Sequence, residues 1–426
     1  MEKINVAIVG VGSCASALIQ GVEYYNRNSS EIGLTYHSIG GYEPKDISFV
    51  IGFDIDKRKV NKNLTTAIYS APNCNMEVIS PSENFSCISS SSKVYRGPTF
   101  DGFPDHMKKF DDSITFVESD VEPISQKEYC DLLITNRVDV LLNYLPVGSE
   151  EGSKFYIENA LKSGINVVNC MPSYISTEEM KRLEILAIKH NTTIVGNDMR
   201  SAFGASRLSE ILQGTMMDSG LMVTQHIQMN MAAGSTQGEE GVINGRTANT
   251  DFLNMHDESR LHNKKISKEN VLNGQVKARN SSSDGMTLFA GPSLTVIQKP
   301  GGEYKSTDNK VCNIDIVAYG FSGAKYELTC RLSVQDSPNS GGVVIDAIRF
   351  CKVAREMKIV GFLRGPSAWT QKTPPLDMKT SDAKFECDAL SRREYTSITN
   401  RQIEGSIDIN NLTYSSHSSQ SEYFQE

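Results

Sequence analysis

Two groups of residues in this 426-residue sequence have the types and spacing to do chemistry: a glycine-rich turn near the N-terminus and several lysines in the second half. The turn reads Gly10-Val11-Gly12-Ser13-Cys14-Ala15. In a strand–turn–helix unit, the first glycine allows a tight turn, the second lets the backbone approach a pyrophosphate, and a small residue lets the helix pack closely. The turn therefore predicts a dinucleotide site. The alternative is a glycine turn in an α/β domain that binds no nucleotide.

A carboxylate at the end of the next strand would complete a dinucleotide site. Asp54 follows the apolar run Phe49–Phe53 and is the candidate for the ribose hydroxyls, which favours NAD over NADP. It lies later than the usual interval of about 20 residues, so the polar stretch Asn26–Asp46 must be an inserted loop. Lys57 and Arg58 nearby leave NADP open as the alternative.

The lysines suggest acid–base chemistry. Lys264 and Lys268 stand four residues apart and would share one helix face, where like charges repel and can lower one pKa towards neutrality. A lysine with such a pKa can act as a base or polarise a carbonyl group. The alternative is an exposed basic turn. Lys310 and Lys372 are ordinary lysines when each is considered alone.

A third pattern, between Asp198 and a helical stretch that begins at Ala205, could bind phosphate. It consists of Ser201, Ala202, Phe203 and Gly204. Backbone N–H groups at a helix N-terminus can form an anion-binding nest. An ordinary helix cap would explain the same residues.

The elements that must hold these residues alternate along the first half of the chain. Predicted strands and helices are Ile4–Val9, Ala15–Tyr25, Phe49–Phe53, Val138–Leu145, Ser153–Ser163, Ile165–Val168, Thr177–His190 and Thr192–Val195. Alternation of this kind predicts an α/β fold, with a doubly wound parallel sheet covered on both faces. We therefore expect a Rossmann-like NAD-binding domain.

Beyond about residue 220 the pattern changes. Lys325–Val334 alternates polar and apolar residues, as half-buried antiparallel strands do. Met222–Met231 and Val311–Tyr319 also have the character of strands, and Gly342–Lys358 has that of a helix. The middle region should therefore form a separate sheet.

These patterns divide the chain into two domains and a tail. We predict a discontinuous NAD-binding domain, residues 1–225 and 336–378, interrupted by an α+β domain, residues 226–335, with a mostly antiparallel sheet; the family resemblance described below implies that this inserted domain is catalytic and forms the oligomer. Residues 379–426 are rich in Ser, Asn, Gln and Glu and poor in large apolar residues. Such a composition predicts a disordered polar tail.

Composition excludes several classes of function. The 43 Lys and Arg against 51 Asp and Glu give a net charge of −8, without the basic patch that nucleic acid or anionic lipid requires. No apolar run approaches the roughly 20 residues of a spanning helix, and the N-terminus lacks the pattern of a signal sequence. The nine cysteines include no CxxC spacing and are interpreted as reduced thiols. We expect a cytoplasmic protein that binds neither nucleic acid nor membrane.

Several sequence blocks together resemble the myo-inositol-1-phosphate synthases in their shorter bacterial and archaeal form. The blocks are Gly10–Ser16, Gln20–Tyr25, Arg96–Gly102, Asn143–Glu151, Asp251–Asn254, Lys264–Lys268, Asp336–Ser340 and Ser367–Pro375. They span residues 4 to 376, and several are long enough to be specific.

The resemblance implies an NAD-dependent isomerisation of D-glucose 6-phosphate to 1D-myo-inositol 3-phosphate, without net redox change. A hydride leaves C5 for NAD, the 5-ketone acidifies C6, the C6 enolate attacks the C1 aldehyde, and the NADH then reduces the cyclic ketone. Ammonium groups would stabilise the oxyanion and enolate intermediates and bind the substrate phosphate. The resemblance also implies a homotetramer built through the inserted domain. It leaves open a monovalent or divalent cation near the cofactor.

The resemblance also assigns roles by position. Lys264 and Lys372 match lysines at the C5 oxygen, and Asp198 matches the carboxylate that orients the catalytic lysine. Lys268 and Lys310 match the phosphate-binding group, together with Ser201, Ala202, Phe203 and Gly204. Asp251 and Asp336 match acids near lysine and nicotinamide. The cofactor-binding set is Gly10, Gly12, Ser13, Cys14, Ala15, Asp54, Asn143 and Asp336.

Two features depart from the family pattern. The family commonly has Gly-Asp-Asp, one residue and then Lys-Ser, whereas this chain has Asn197 for one acid and Arg200 for the lysine. Arg200 keeps the charge but cannot carry a proton. About a dozen residues are also inserted around Ser235–Ala248. A cyclase for a different sugar phosphate and a non-catalytic NAD-binding homologue therefore remain as alternatives.

Overall fold

The computed structural model describes residues 2–173, 175–232, 250–291, 294–295, 308–394, 407–408 and 413–414. Its first half alternates strands and helices, as predicted. In chain order the elements are β1 (Ile4–Val9), α1 (Ser13–Arg27), β2 (Ile47–Asp54), α2 (Leu64–Ala67), β3 (Val94–Arg96), α3 (Gln126–Thr135), β4 (Val140–Asn143), α4 (Glu150–Lys162), β5 (Asn166–Asn169), α5 (Thr177–Lys189), β6 (Thr193–Val195) and α6 (Ala205–Asp218).

The second half contains long strands followed by helices. Its elements are β7 (Met222–Ala232), α7 (Thr250–Asn254), α8 (Glu258–Lys277), β8 (Thr287–Ala290), β9 (Leu294–Thr295), β10 (Asn309–Tyr319), β11 (Lys325–Gln335), α9 (Asp336–Glu356), β12 (Gly361–Phe362), α10 (Arg364–Thr370), α11 (Thr380–Ser391), β13 (Ile407–Asp408) and β14 (Thr413–Tyr414). Within the described residues, no helix has an apolar stretch long enough to span a bilayer.

The first sheet is parallel and doubly wound. Its seven strands run in the order β12-β6-β5-β4-β1-β2-β3, so the chain reverses direction across the sheet beside β1. Val6 and Ile8 of β1 pack on one face, with α1 and α9, while Ala7 and Val9 pack on the other. Both faces are apolar because helices cover both. Ligands bind this kind of sheet at the carboxyl ends of the strands, next to the point of reversal.

The second sheet is built mainly from three long antiparallel strands. β10 pairs with β7 on one side and β11 on the other, while β8 and β9 run parallel to β7. Val223, Ile314 and Ile316 form a core with apolar side chains of α6. The predicted alternation over Lys325–Val334 corresponds to β11, whose side chains are all exposed or half-buried.

The chain returns to the first sheet after β11. Helix α9 packs against α1, and β12 pairs with β6 in parallel, with Gly361 opposite Thr193. The helix predicted from residue 342 begins at Asp336 instead. Pro338 is compatible with this start, because proline is tolerated in the first turn of a helix.

The prediction of a disordered tail from residue 379 was wrong for its first part. Helix α11 spans Thr380–Ser391 and packs on α10 and α9. Its buried residues Ala383, Cys387 and Leu390 recur at helical spacing, so a few apolar residues are enough to attach it. Composition alone missed this periodicity. Most of residues 395–426 lie outside the described residues.

Candidate active site

A cleft with about 1560 Å³ of free space opens at the carboxyl ends of the first sheet and reaches the second sheet. It brings together residues from distant parts of the sequence. Fourteen predicted site residues line it: Gly10, Gly12, Ser13, Cys14, Ala15, Asp54, Asp198, Ser201, Gly204, Lys264, Lys268, Lys310, Asp336 and Lys372. The glycine turn and the lysines therefore belong to one site.

The glycine turn has the geometry of a pyrophosphate site. Gly10 has a φ of +85°, and a Cβ there would lie 2.6 Å from the carbonyl oxygen of Tyr144. A Cβ on Gly12 would meet nothing within 4 Å, so free space lies above the turn. Gly12 also caps α1 without a side-chain hydrogen bond to the first helical turn. The helix N-terminus therefore retains donors for an anion.

Asp54 fixes the turn to β2. Its Oδ2 accepts a hydrogen bond from the Val11 N–H at 2.8 Å, and its Oδ1 accepts from the Ile55 and Asp56 N–H groups at 2.7 and 2.9 Å. A carboxylate has about four acceptor sites. One therefore remains for a ribose hydroxyl, which fits the predicted role.

The two basic residues that left NADP open do not line the cleft. Lys57 is exposed. Arg58 donates from Nε to Asp56 at 2.8 Å and from Nη1 and Nη2 to the carbonyls of Asp112 and Thr115 at 2.7 and 2.6 Å. Neither residue is placed for a 2′-phosphate.

Sequence reasoning missed Lys59, which does line the cleft. Its side chain is 1% exposed, and its Nζ donates to the Pro72 carbonyl at 3.3 Å, its one hydrogen-bond partner within the described residues. A buried ammonium group needs an anionic partner. Nothing in the local sequence distinguished this lysine from the two basic residues directly before it.

Asp198 is the centre of the lysine cluster. It is fully buried after β6, and its Oδ1 accepts from Lys372 Nζ at 2.8 Å and lies 3.7 Å from Lys264 Nζ. Its Oδ2 accepts from Ser267 Oγ at 2.5 Å. Burial alone would raise the pKa of Asp198, but the charges of Lys264 and Lys372 and these hydrogen bonds outweigh it and hold the pKa below its usual value. Asp198 is therefore an anion.

Lys268 occupies a different electrostatic environment. It is 7% exposed on α8, one turn after Lys264. Burial, followed by the like charges of Lys310, Lys264 and Lys372, lowers its pKa well below the usual value. The four-residue spacing predicted a lowered pKa, but burial is the larger cause. Lys268 therefore gives up its proton more readily than an ordinary lysine does.

Lys310 and Asp336 close the other side of the cluster. Lys310 Nζ donates to Asp336 Oδ2 at 2.5 Å. Burial alone would raise the pKa of Asp336, but Lys310, and then Lys372 and Lys264, lower it overall. Lys310 is the second residue of β10 and Asp336 directly follows β11 as the first residue of α9, so the antiparallel β10–β11 pair brings the two together.

Positive charge dominates the cleft wall. Six basic side chains in the described part of the chain line it, namely Lys59, Arg207, Lys264, Lys268, Lys310 and Lys372, against the acids Asp54, Asp198 and Asp336. Such an excess in a partly buried cleft favours anionic ligands. A dinucleotide and a phosphate ester both satisfy this condition.

The phosphate segment differs in part from the prediction. Ser201 and Gly204 line the cleft, but the Ala202 N–H donates to the Asn339 carbonyl at 2.7 Å and the Phe203 N–H to Asn339 Oδ1 at 3.2 Å. These two amides are therefore occupied. The available anion site lies further on, where Gly204 caps α6 without a side-chain hydrogen bond.

Asn143 also differs from its prediction as a direct cofactor contact. Its side chain is fully buried behind the cleft wall and donates to Ser153 Oγ and Asn169 Oδ1, both at 2.9 Å. Asn169 in turn donates to Asn197 Oδ1 at 2.8 Å. This amide chain links the ends of neighbouring strands and so supports the cleft from behind.

Two predicted features cannot be placed. The backbone of Asp251 lies in α7, but its side chain is outside the described residues. The inserted residues 235–248 lie outside them as well.

Comparison with known proteins agrees with this geometry. Residues 244–337 match the family model of myo-inositol-1-phosphate synthase. The inositol-3-phosphate synthase of Mycolicibacterium smegmatis is 33% identical over 396 residues, which cover 91% of this chain and 98% of that protein. The chain belongs to the inositol-3-phosphate synthase family. The Corynebacterium glutamicum member is 34% identical over 403 residues, covering 91% of this chain and 98% of its own.

Solved structures share the fold of this family member. The crystal structure of Ari2 is 25% identical, with a TM-score of 0.64 over 92% of this chain and 99% of that chain. The myo-inositol-1-phosphate synthase-related protein of Thermotoga maritima is 18% identical, with a TM-score of 0.66 over 92% of this chain and 98% of that chain. The predicted α/β fold is confirmed.

The arginine that departs from the family pattern does not line the cleft. Arg200 is 3% exposed, forms an ion pair with Glu210, and donates from Nε and Nη2 to the Gln371 carbonyl at 2.9 and 2.6 Å. Arg200 therefore contributes no side chain to the cleft wall.

A cation site receives no support from clustered ligands. Within the described residues, no group of three or more His, Cys, Asp or Glu side chains is arranged to hold a metal ion. Asp308, which the sequence analysis did not single out, lies beside Asp336 and accepts a hydrogen bond from Ser337 Oγ at 2.7 Å. Two carboxylates do not make a complete ligand set, so no step is assigned to a cation.

Proposed function

We propose that this family member converts D-glucose 6-phosphate to 1D-myo-inositol 3-phosphate with NAD as cofactor. The observation that carries the proposal is the convergence of Lys264, Lys268, Lys310 and Lys372 on one cleft with the glycine turn. A protein that only bound NAD would need the turn but not the four lysines.

The residues of the turn fit the cofactor. The open space above Gly12, the free N-terminus of α1 and the remaining acceptor capacity of Asp54 suit a pyrophosphate and a ribose. Lys59 supplies a buried cation for a dinucleotide phosphate. Bound NAD would accept a hydride from C5 and return it after ring closure, so that the overall reaction is an isomerisation.

Proton transfer at the C5 oxygen is assigned to Lys372, with Lys264 beside it. Lys372 Nζ lies 2.8 Å from Asp198, whose negative charge stabilises an ammonium group that has gained the C5 hydroxyl proton. The same ammonium can then polarise the C5 ketone, which acidifies the C6–H bond. A neutral amine of the lysine cluster takes up the C6 proton, the enolate carbon C6 forms the bond to C1, and the ammonium group so formed gives a proton to the C1 oxygen. When the hydride returns to C5, Lys372 gives the C5 oxygen its proton back.

Phosphate binding is assigned to Lys268 and Lys310 with Ser201 and the N-terminus of α6. Burial and the neighbouring lysines lower the pKa of Lys268 in the free protein. A phosphate dianion offsets both effects, so substrate binding would raise this pKa and favour the ammonium group. The charged amine would then also stabilise the enolate in a site that excludes water.

Isotope labelling gives the sharpest test. Purified protein with NAD and glucose 6-phosphate labelled with deuterium at C5 should give inositol phosphate, a non-reducing ester, with the deuterium retained. Lys264→Ala and Lys372→Ala should abolish turnover and leave NADH affinity nearly unchanged, because neither residue belongs to the turn. Absence of inositol phosphate at saturating NAD contradicts the proposal.

A substrate panel separates the alternatives. Ring closure of a different sugar phosphate, without turnover of glucose 6-phosphate, would indicate a specialised cyclase. NADH binding without turnover of any sugar phosphate would indicate a non-catalytic homologue.

We further propose that the second sheet forms the interface of a homotetramer. The edge strand β11 has no buried position, and Met222, Met229 and Tyr326 on this sheet are 61%, 45% and 46% exposed. A long open edge strand with apolar neighbours requires a covering surface. Light scattering on the purified protein should give the mass of four chains, and a monomer would contradict the proposal.

A further inference from the structure

The segment that leads into Lys372 is held from the side of α6. Three successive backbone carbonyls at the end of α10 accept hydrogen bonds from arginines. The bonds are Arg207 Nη2 to Trp369 at 2.5 Å, the Arg200 N–H to Thr370 at 3.0 Å, and Arg200 Nε and Nη2 to Gln371 at 2.9 and 2.6 Å. The last carbonyls of a helix lack helical hydrogen-bond partners and carry partial negative charge. Guanidinium groups supply both the missing donors and a compensating positive charge.

Glu210 holds the two arginines in place. It forms an ion pair with Arg200 and lies 3.7 Å from Arg207 Nη1, and the three residues are only 3–6% exposed. Arg207 also stacks on Trp369, with 4.0 Å between the guanidinium carbon and the ring centroid. Because water cannot replace these partners in the interior, the guanidinium groups have one well-defined arrangement.

The same contacts connect the two chain segments that carry Asp198 and Lys372. Arg200 lies two residues after Asp198, and the carbonyls that it binds directly precede Lys372. The Lys372 N–H donates to the Asp198 carbonyl at 2.7 Å, next to the side-chain contact at 2.8 Å. A shift of this segment would separate the ammonium group from its carboxylate.

We propose that Arg200, Arg207 and Glu210 form an arginine clamp that positions Lys372 against Asp198 for proton transfer. This inference rests on the proposed function, in which Lys372 serves the C5 oxygen. Arg200 does not line the cleft and is therefore a positioning residue, acting through the backbone. An arginine suits this task better than a lysine, because its planar fork binds a carbonyl and a carboxylate at once.

The test compares Arg200→Lys and Arg200→Met in the full-length protein with a matched control. Arg349 is also buried, pairs with Asp346 at 2.6 Å and donates to the carbonyls of Tyr36, His37 and Tyr42, but it lies outside the cleft. Arg349→Lys therefore shows how much stability and activity are lost when a buried arginine that binds both a carboxylate and backbone carbonyls is replaced away from the cleft. Kinetics with glucose 6-phosphate and NAD, melting temperature and amide hydrogen exchange over residues 369–373 are measured for each.

The clamp predicts a selective loss of kcat. Arg200→Lys should lower kcat about 10- to 100-fold with little change in KM, as expected for a misplaced catalytic group, while Arg349→Lys keeps kcat. Arg200→Met should be more severe. Hydrogen exchange over 369–373 should accelerate in the Arg200 variants only.

The possible failures are distinguishable. If the wild-type protein does not cyclise glucose 6-phosphate, the proposed function fails, and hydrogen exchange still decides whether Arg200 holds the segment. Unchanged exchange in Arg200→Lys overturns the clamp. So does an unchanged kcat, or a loss confined to KM, in a protein whose wild type is active. The lysine variant keeps the charge and provides a result should Arg200→Met fail to fold.

Discussion

Replacing Asp198 by asparagine tests the centre of the lysine cluster. The amide keeps the shape of the carboxylate but removes the negative charge that faces Lys372 at 2.8 Å and Lys264 at 3.7 Å. Asp198 is fully buried, and removing one partner of a buried ion pair costs about 3–5 kcal/mol. We therefore expect Asp198→Asn to lose about 3–5 kcal/mol of unfolding free energy at pH 7.

The pH dependence of this loss provides an independent check. Lys264, Lys372 and the hydrogen bonds together outweigh burial and keep the pKa of Asp198 below its usual value. A carboxylate with a lower pKa in the folded protein stabilises the fold above its unfolded pKa, and this contribution is lost as the pH falls through the folded pKa. The stability difference between wild type and Asp198→Asn should thus be full at pH 7 and shrink below about pH 4.

Urea unfolding and steady-state kinetics measure the two effects. Asp346→Asn is the control, because Asp346 forms a buried pair with Arg349 away from the cleft. It should reduce stability and spare kcat, whereas Asp198→Asn should reduce kcat about 10²- to 10⁴-fold, the usual range for lost acid–base catalysis. A wild-type kcat in Asp198→Asn refutes the assigned role. A stability difference that persists unchanged in acid refutes the electrostatic explanation.

Three further outcomes follow from the cleft. Lys59→Met should weaken NADH binding about tenfold by fluorescence titration, through loss of a charge-assisted contact, while binding of glucitol 6-phosphate is unchanged. Wild type should take up protons on binding glucitol 6-phosphate at pH values below the usual titration range of lysine, because phosphate raises the lowered pKa of Lys268. Calorimetry over a pH series, in buffers of different ionisation enthalpy, should show less uptake for Lys268→Met. Gly10→Ala should lower the melting temperature, since its Cβ would approach the Tyr144 carbonyl to 2.6 Å.

The fold could be predicted where a single element carries its own signal. β1 has the predicted bounds Ile4–Val9 because a mostly apolar run is bounded by a charged residue and a glycine. Helix α5 begins at the predicted residue Thr177, directly after Ser176, whose side chain accepts from the Glu179 N–H and caps the helix. Helix α11 was missed because three spaced apolar residues do not alter the composition of a polar segment.

The site could be predicted where function constrains consecutive residues. The glycine turn has this property, since one backbone bend must approach a phosphate. The lysines became interpretable only as a set that resembled a family, because each alone is an ordinary surface residue type. Their convergence depends on the pairing of β10 with β11 and on the return of the chain after β11, which no local pattern records.

The remaining differences have a common physical origin. Asn143 and Asp54 end the two strands that flank β1 in one parallel sheet, yet only Asp54 lines the cleft. The Asn143 side chain instead donates a hydrogen bond to Asn169, which lies 26 residues away in sequence, and so becomes part of a buried chain of amides. Likewise, the Ala202 and Phe203 N–H groups donate to Asn339 of α9, which follows the second sheet in sequence. Whether a polar group faces a ligand or the interior thus depends on hydrogen-bond partners that are distant in sequence. Some of these partners are in place only after the chain has passed through the second sheet and returned to the first.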